Sequence, residues 1–134
     1  MKKYYYISFT YLMLGLIAGV FYRELTRMSD FTGETVLKGV HTHILVLGFV
    51  FFLVVLLLEK KLGISNLKST KAWLITYQVA LVTVVATMVA RGVAQVKGFE
   101  IAGLSHMAGA SHALLGIALI WFMILLGKAI KLEK

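Results

Sequence analysis

Gly39-Val40-His41-Thr42-His43-Ile44-Leu45-Val46-Leu47-Gly48 places two histidines at the head of a run that is otherwise almost entirely hydrocarbon. The run continues to Leu58 without an acidic residue, a lysine or an arginine, which is long enough for a membrane-spanning helix. The other two histidines, His106 and His112, stand at the head of another apolar run. Ionisable side chains inside membrane spans are costly and usually functional, so these histidines are the candidate site.

Four apolar runs fill most of the chain, at about 4–22, 37–58, 72–96 and 101–127. Each is close to the ~20 residues that a helix needs to cross a bilayer, where unpaired backbone groups are not tolerated. Hydrophobic residues make up 60% of the chain, more than a soluble domain of 134 residues can bury. The sequence therefore predicts an all-α integral membrane four-helix bundle, with residues 1–134 forming a single transmembrane domain.

Basic residues are divided unequally between the two sides of the membrane. Four spans put the N-terminus, the second loop and the C-terminus on one side, with nine basic residues: Lys2, Lys3, Lys60, Lys61, Lys68, Lys71, Lys128, Lys131 and Lys134. The other side holds five basic residues: Arg23, Arg27, Lys38, Arg91 and Lys97. Four of the six acidic residues also lie on that side. The positive-inside rule predicts an N-in/C-in, multi-pass protein of the cytoplasmic membrane.

Aromatic residues near the predicted inner ends of two spans are candidate interfacial anchors. They are Tyr4, Tyr5 and Tyr6 in the first span and Trp73 in the third. Tyrosine and tryptophan are enriched where hydrocarbon meets headgroups, so we expect these side chains to lie in that layer.

Composition excludes several classes of function. The net charge of +8 is accounted for by orientation in the lipid bilayer, so no nucleic-acid partner is expected. The chain has no cysteine, which excludes disulfides, thiolate metal sites, iron–sulfur clusters and covalently attached c-type haem. There is no nucleophile–base pair, phosphate loop or soluble substrate domain, which argues against conventional hydrolytic or transferase chemistry; whether the protein is an enzyme stays open.

The spacing of the histidines favours a large cofactor over a single small ion. His41 and His43 are about 200° apart on a helix, and His106 and His112 about 240° apart and ~9 Å along the axis. Neither pair chelates one ion easily from a regular helix. All four are expected in the outer half of the bilayer, on two helices that run in the same direction. The spacing fits two separate centres or one haem held between helices.

Small and basic residues near the histidines have two interpretations each. Gly116 lies four residues after His112, and Gly48 seven after His41, so both are candidates for making room beside a porphyrin or for close helix packing. Arg91 is a candidate partner of haem propionates, or a side chain that reaches the headgroups. Gly15-x-x-x-Gly19 in the first span predicts helix packing.

These patterns predict a membrane protein that binds b-type haem through His41, His43, His106 and His112, for electron transfer or for binding haem or a diatomic gas. A copper- or zinc-binding or transport protein is the first alternative, although the spacing and the lack of helix carboxylates disfavour it. The second is an accessory subunit whose histidines only join helices. A redox partner and a homo-oligomer are further expectations.

The segment His41–Gly48 resembles the histidine-x-histidine helix of haem–copper oxidase subunit I and its relatives, the nitric oxide reductases and the NnrS-type proteins. In that family the two histidines point opposite ways and ligate two different haems. The resemblance implies that His41 and His43 are axial ligands, with His106 and His112 as candidate partners. The whole chain also resembles a group of small, uncharacterised bacterial four-helix membrane proteins, which implies a fold and no activity.

Overall fold

Four long helices make up most of the structure, a computed structural model that describes residues 1–133. They are α1 (Lys2–Met28), α2 (Leu37–Leu62), α3 (Thr70–Lys97) and α4 (Leu104–Leu132). Each is long and apolar enough to cross a membrane, and the described residues contain no strand. The all-α fold with four membrane-spanning helices is therefore confirmed. Lys134, counted above with the inner side, lies outside the described residues.

The helix ends are set by local backbone conformation as well as by hydrophobicity. Gly98 follows the last residue of α3 and Gly103 precedes the first residue of α4, with φ angles of 78° and 77° that glycine adopts without strain. The first residues of the fourth apolar run, from Ile101, therefore belong to the loop. The α1, α2 and α4 helices continue a few residues beyond the C-terminal ends of their apolar runs, because helical hydrogen bonding continues into the polar layers.

The packing follows chain order, with α2 lying along α1 and α4 along α3. An aromatic cluster joins the α1–α2 pair to the α3–α4 pair. The centroid of the Phe51 ring of α2 lies 4.7 Å from that of Tyr77 of α3, in a stacked arrangement, and 5.1 Å from that of Phe122 of α4. Beside it, Trp73 Nε1 donates a hydrogen bond of 2.9 Å to the Ala118 carbonyl. These contacts fill the core with rings whose polar atoms are satisfied inside the protein.

Two of the expected interfacial anchors belong to this core. Trp73 and Tyr4 are fully buried, and the Tyr4 hydroxyl lies 3.2 Å from Ser65 Oγ. The prediction was wrong for these two residues because they lie on the buried faces of their helices, near helix ends that other elements cover. Tyr5 and Tyr6, on the other face of α1, are exposed.

The small residues of α1 pack against α2, as predicted. A Cβ at Gly15 would lie 2.6 Å from Leu45 Cδ2, so the helices approach too closely there for a side chain. At Gly19 a Cβ would lie 3.8 Å from the His41 Cβ. The Gly15-x-x-x-Gly19 pattern thus brings α1 against the histidine-bearing part of α2.

Candidate functional site

His43 of α2 and His112 of α4 are neighbours across the gap between their helices, with their ring planes nearly perpendicular. Their ring centroids are 6.1 Å apart and the ring planes meet at 85°. His43 is half-buried and His112 is exposed. The fold therefore brings together one histidine from each of the two apolar runs.

Backbone carbonyls decide which ring nitrogen of each histidine carries the proton. His43 Nδ1 lies 2.9 Å from the Gly39 carbonyl oxygen, and His112 Nδ1 lies 2.7 Å from that of Ala108. A carbonyl only accepts, so in each ring Nδ1 donates and Nε2 keeps its lone pair. Metal-binding histidines characteristically donate their second N–H to a carbonyl or carboxylate in this way, which orients the ring.

The other two histidines lie apart from this pair. His41 faces α1 beside Gly19, and its buried Nδ1 has no hydrogen-bond partner. His106 is exposed. The predicted four-histidine group is thus one facing pair and two single residues. The cause is helical geometry, because offsets of two and six residues turn His41 and His106 about 200° and 240° away from their neighbours.

Two glycines leave open space on either side of His112. Gly109 and Gly116 lie three residues before it and four after it, and a Cβ at either would meet no atom within 4 Å. Gly48, in contrast, lies against Tyr11 of α1, and a Cβ there would overlap the Tyr11 ring. The space predicted at Gly48 is used for helix packing, so Gly48 is corrected from a candidate cofactor contact to a packing residue.

Arg91 lies at a different place from the histidine pair. Its exposed side chain lines a cavity of about 310 Å³ at the end of α3, together with residues of the α3–α4 loop and the start of α4. No histidine lines that cavity. Its α4 wall includes Ser105, which precedes His112 by seven residues, or about 10 Å along the helix.

The donor set at the histidine pair is two imidazoles. Within residues 1–133 no group of three or more histidine, cysteine or acidic side chains is placed to hold a metal ion. Structural zinc normally takes four protein ligands. A haem brings its own equatorial nitrogens and asks the protein only for axial ligands, so two facing imidazoles fit haem better than zinc.

A π-helical segment, Ile44–Val50, follows directly after His43 in α2. At its end the Phe51 N–H donates to the Val46 carbonyl, five residues earlier. Two neighbouring helices donate to this segment: Tyr77 Oη lies 2.9 Å from the Leu47 carbonyl oxygen, and Ser8 Oγ lies 2.9 Å from that of Phe49. Side chains of α3 and α1 therefore hold the wider turn in place.

The π segment changes which residues of α2 share a face. His43 and Phe51 are eight residues apart, which in a regular α-helix is about 80° from alignment. If the wide turn takes up one residue, the difference falls to about 20°. Both rings then face α4, where they contact His112 and Phe122.

Sequence reasoning missed this segment, because its sign appears only when the buried positions are known from the structure. The buried positions in the middle of α2 recur every four residues, at Val40, Ile44, Gly48 and Phe52. In a regular α-helix such a series drifts by about 40° a step, so three equal steps indicate a locally wider helix.

Comparisons with known proteins give a family and no activity. The profile of a family described as "Protein of unknown function (DUF2871)" matches residues 1–129. No curated protein and no solved structure matches the chain. The resemblance to haem–copper oxidases and NnrS-type proteins receives no support from these comparisons and rests on the short segment His41–Gly48 alone.

Proposed function

The chain belongs to the DUF2871 family, and we propose that it is a membrane haem protein that holds b-type haem between α2 and α4, with His43 and His112 as axial ligands. Two histidine ligands fill both axial positions, which suits electron transfer better than gas binding. When bound, the haem iron supplies one-electron redox chemistry. The charge pattern favours the outer half of the cytoplasmic membrane for this site.

The facing histidine pair is the observation that carries the proposal. Two imidazoles on opposite sides of one metal ion, each bound at ~2.0–2.1 Å, have ring centroids about 6 Å apart. The ring centroids of His43 and His112 are 6.1 Å apart, which is this spacing. Their planes meet at 85°, so both Nε2 atoms reach one iron when each ring turns its Nε2 edge into the gap. Their Nδ1 atoms are held by the carbonyls of Gly39 and Ala108, which leaves both Nε2 atoms for ligation.

Space around His112 supports a flat cofactor at this position. Gly109 and Gly116 expose the backbone of α4 on both sides of the ring, with no atom within 4 Å of where a Cβ would stand. Porphyrin is apolar on both faces, and the exposed surface around α4 is largely apolar as well. His41, His106 and Arg91 are left out of the site because they lie apart from the pair.

The test is the absorption spectrum of the detergent-purified protein from cells supplied with haem, before and after reduction with dithionite. We expect a Soret band and sharp α and β bands on reduction, with one iron per site by elemental analysis. His43→Ala and His112→Ala should each abolish this spectrum. His106→Ala is the matched control, since it removes a histidine from the same helix as His112, and it should keep the spectrum.

Any of the following results would contradict the proposal. One is the absence of a Soret band despite ample haem, and another is its retention in both His43→Ala and His112→Ala. Copper or zinc bound stoichiometrically without porphyrin would instead assign the same imidazoles to a metal-binding or transport protein. Neither haem nor metal would leave the pair as a contact between helices.

A further inference from the structure

The cavity at the outer end of α3 is lined by one cationic and one anionic side chain, which do not form a salt bridge with each other. Arg91 comes from α3 and Glu100 from the α3–α4 loop, and both line the same space of about 310 Å³. Within residues 1–133 the one salt bridge joins Lys38 to Glu34, so Arg91 and Glu100 are not ion-paired with each other. The two charges face a shared cavity and are free to bind a ligand that carries both signs.

We propose that this cavity binds the headgroup of a zwitterionic phospholipid with a primary ammonium, such as phosphatidylethanolamine. The guanidinium of Arg91 matches a phosphate, to which it can donate two parallel hydrogen bonds. The carboxylate of Glu100 accepts from the ammonium. The formal charge of the lining is zero, one arginine against one glutamate, which favours a zwitterion over an anionic lipid.

The order of the two charges along the membrane normal matches the order in such a lipid. Arg91 lies six residues before the end of α3 at Lys97, about 9 Å along the helix, whereas Glu100 lies beyond that end. In a bilayer the phosphate of a phospholipid lies deeper than its ammonium. The deeper cation therefore meets the phosphate, and the outer anion meets the ammonium.

Apolar side chains of the same cavity suit the rest of the lipid. Phe99, Ile101 and Leu104 line it beside the two charged residues, and the hydroxyl of Ser105 adds a donor. Phe99 and Ile101 are exposed large hydrophobic residues in the loop next to the membrane. A lipid whose headgroup occupies the cavity would cover them with its glycerol and acyl region, which a soluble headgroup alone cannot do.

The experiment is native mass spectrometry of the full-length protein in detergent, titrated separately with phosphatidylethanolamine, phosphatidylcholine and phosphatidylglycerol. We expect phosphatidylethanolamine to bind about tenfold more tightly than the other two, the size of a charge-assisted hydrogen bond. Arg91→Gln should lose this binding. Glu100→Gln should bind phosphatidylethanolamine and phosphatidylcholine equally, because the acceptor for the ammonium hydrogens is gone.

Lys97→Gln is the matched control, because it removes a positive charge at the same end of α3 from a residue that does not line the cavity. It should bind lipids like the unaltered protein, and helical circular dichroism should be the same for all variants. Equal binding of the three lipids, or the same loss in Lys97→Gln as in Arg91→Gln, would overturn the proposal. So would equally tight binding of soluble O-phosphoethanolamine, which would assign the cavity to a free solute. Haem content enters none of these measurements.

Discussion

A backbone carbonyl one helical turn earlier in the chain fixes which ring nitrogen of His43 and of His112 carries the proton. Each ring gives its Nδ1 proton to the carbonyl of the residue four positions before it, Gly39 and Ala108. The presence of histidines in two membrane spans was evident from the sequence. The choice of partner was not, because it depends on how α2 and α4 are rotated against each other, and helical periodicity within one segment carries no information about that rotation.

At the residue scale, Gly92→Ala should destabilise the protein. A Cβ at Gly92 of α3 would lie 2.8 Å from the backbone nitrogen of Leu37, and the Gly92 carbonyl accepts a 3.0 Å hydrogen bond from Thr35 Oγ1. Backbone cannot move aside as a side chain can, so we expect a loss of about 1–3 kcal/mol in the free energy of unfolding. Unfolding in dodecyl sulfate, followed by circular dichroism, measures it.

Gly127→Ala is the control for that substitution. Gly127 is also inside a helix, and a Cβ there would meet nothing within 4 Å. Alanine should stabilise α4 slightly, by up to about 1 kcal/mol, since it restricts the unfolded backbone. Equal destabilisation by both substitutions would show that the contact with Leu37 does not explain the effect at Gly92.

At the scale of the element, the π-helical segment is the part of the fold that sequence reasoning did not anticipate. Length and hydropathy predicted where α2 lies in the chain. They carry no information about how the turns of that helix are wound. The widening depends on side chains from other helices, the hydroxyls of Ser8 and Tyr77. Such donors are distant in sequence, so a window on α2 alone does not contain them.

Tyr77→Phe should weaken this segment while keeping the ring that stacks on Phe51. The lost hydrogen bond to Leu47 should reduce the free energy of unfolding by about 0.6–1.7 kcal/mol, from the average to the maximum value for such bonds between membrane helices. Unfolding in dodecyl sulfate is again the measurement. Tyr5→Phe, which removes an exposed hydroxyl, should leave the stability unchanged. A Tyr77→Phe protein as stable as the unaltered one would argue that the donor is dispensable.

At the scale of the whole molecule, the four membrane spans followed from composition, whereas the burial of individual aromatic residues did not. Trp73 and Tyr4 stand near helix ends, which favoured the interface, yet both are fully buried. Their positions along the helix were predictable from hydropathy. The face that other elements cover was not, since α4 covers Trp73 only through the three-dimensional packing of the bundle.

The orientation of the whole molecule is tested by labelling with a membrane-impermeant maleimide. The chain contains no cysteine, so Thr32→Cys in the α1–α2 loop and Lys68→Cys before α3 each give a single thiol. With both termini inside, Thr32→Cys should react in intact cells, and Lys68→Cys only after the cells are permeabilised. The reverse pattern would place the histidine pair in the inner half of the membrane.

The two donors to the π segment also imply an order of assembly. Ser8 is synthesised before α2, but Tyr77 follows it, so the Leu47 carbonyl lacks its donor from α3 until that helix enters the membrane. Until then only Ser8 of α1 donates to the π segment, through the Phe49 carbonyl. The α4 helix, which brings His112, comes last. We therefore expect a chain interrupted after α3 to hold His43 in its final direction already, before His112 is present.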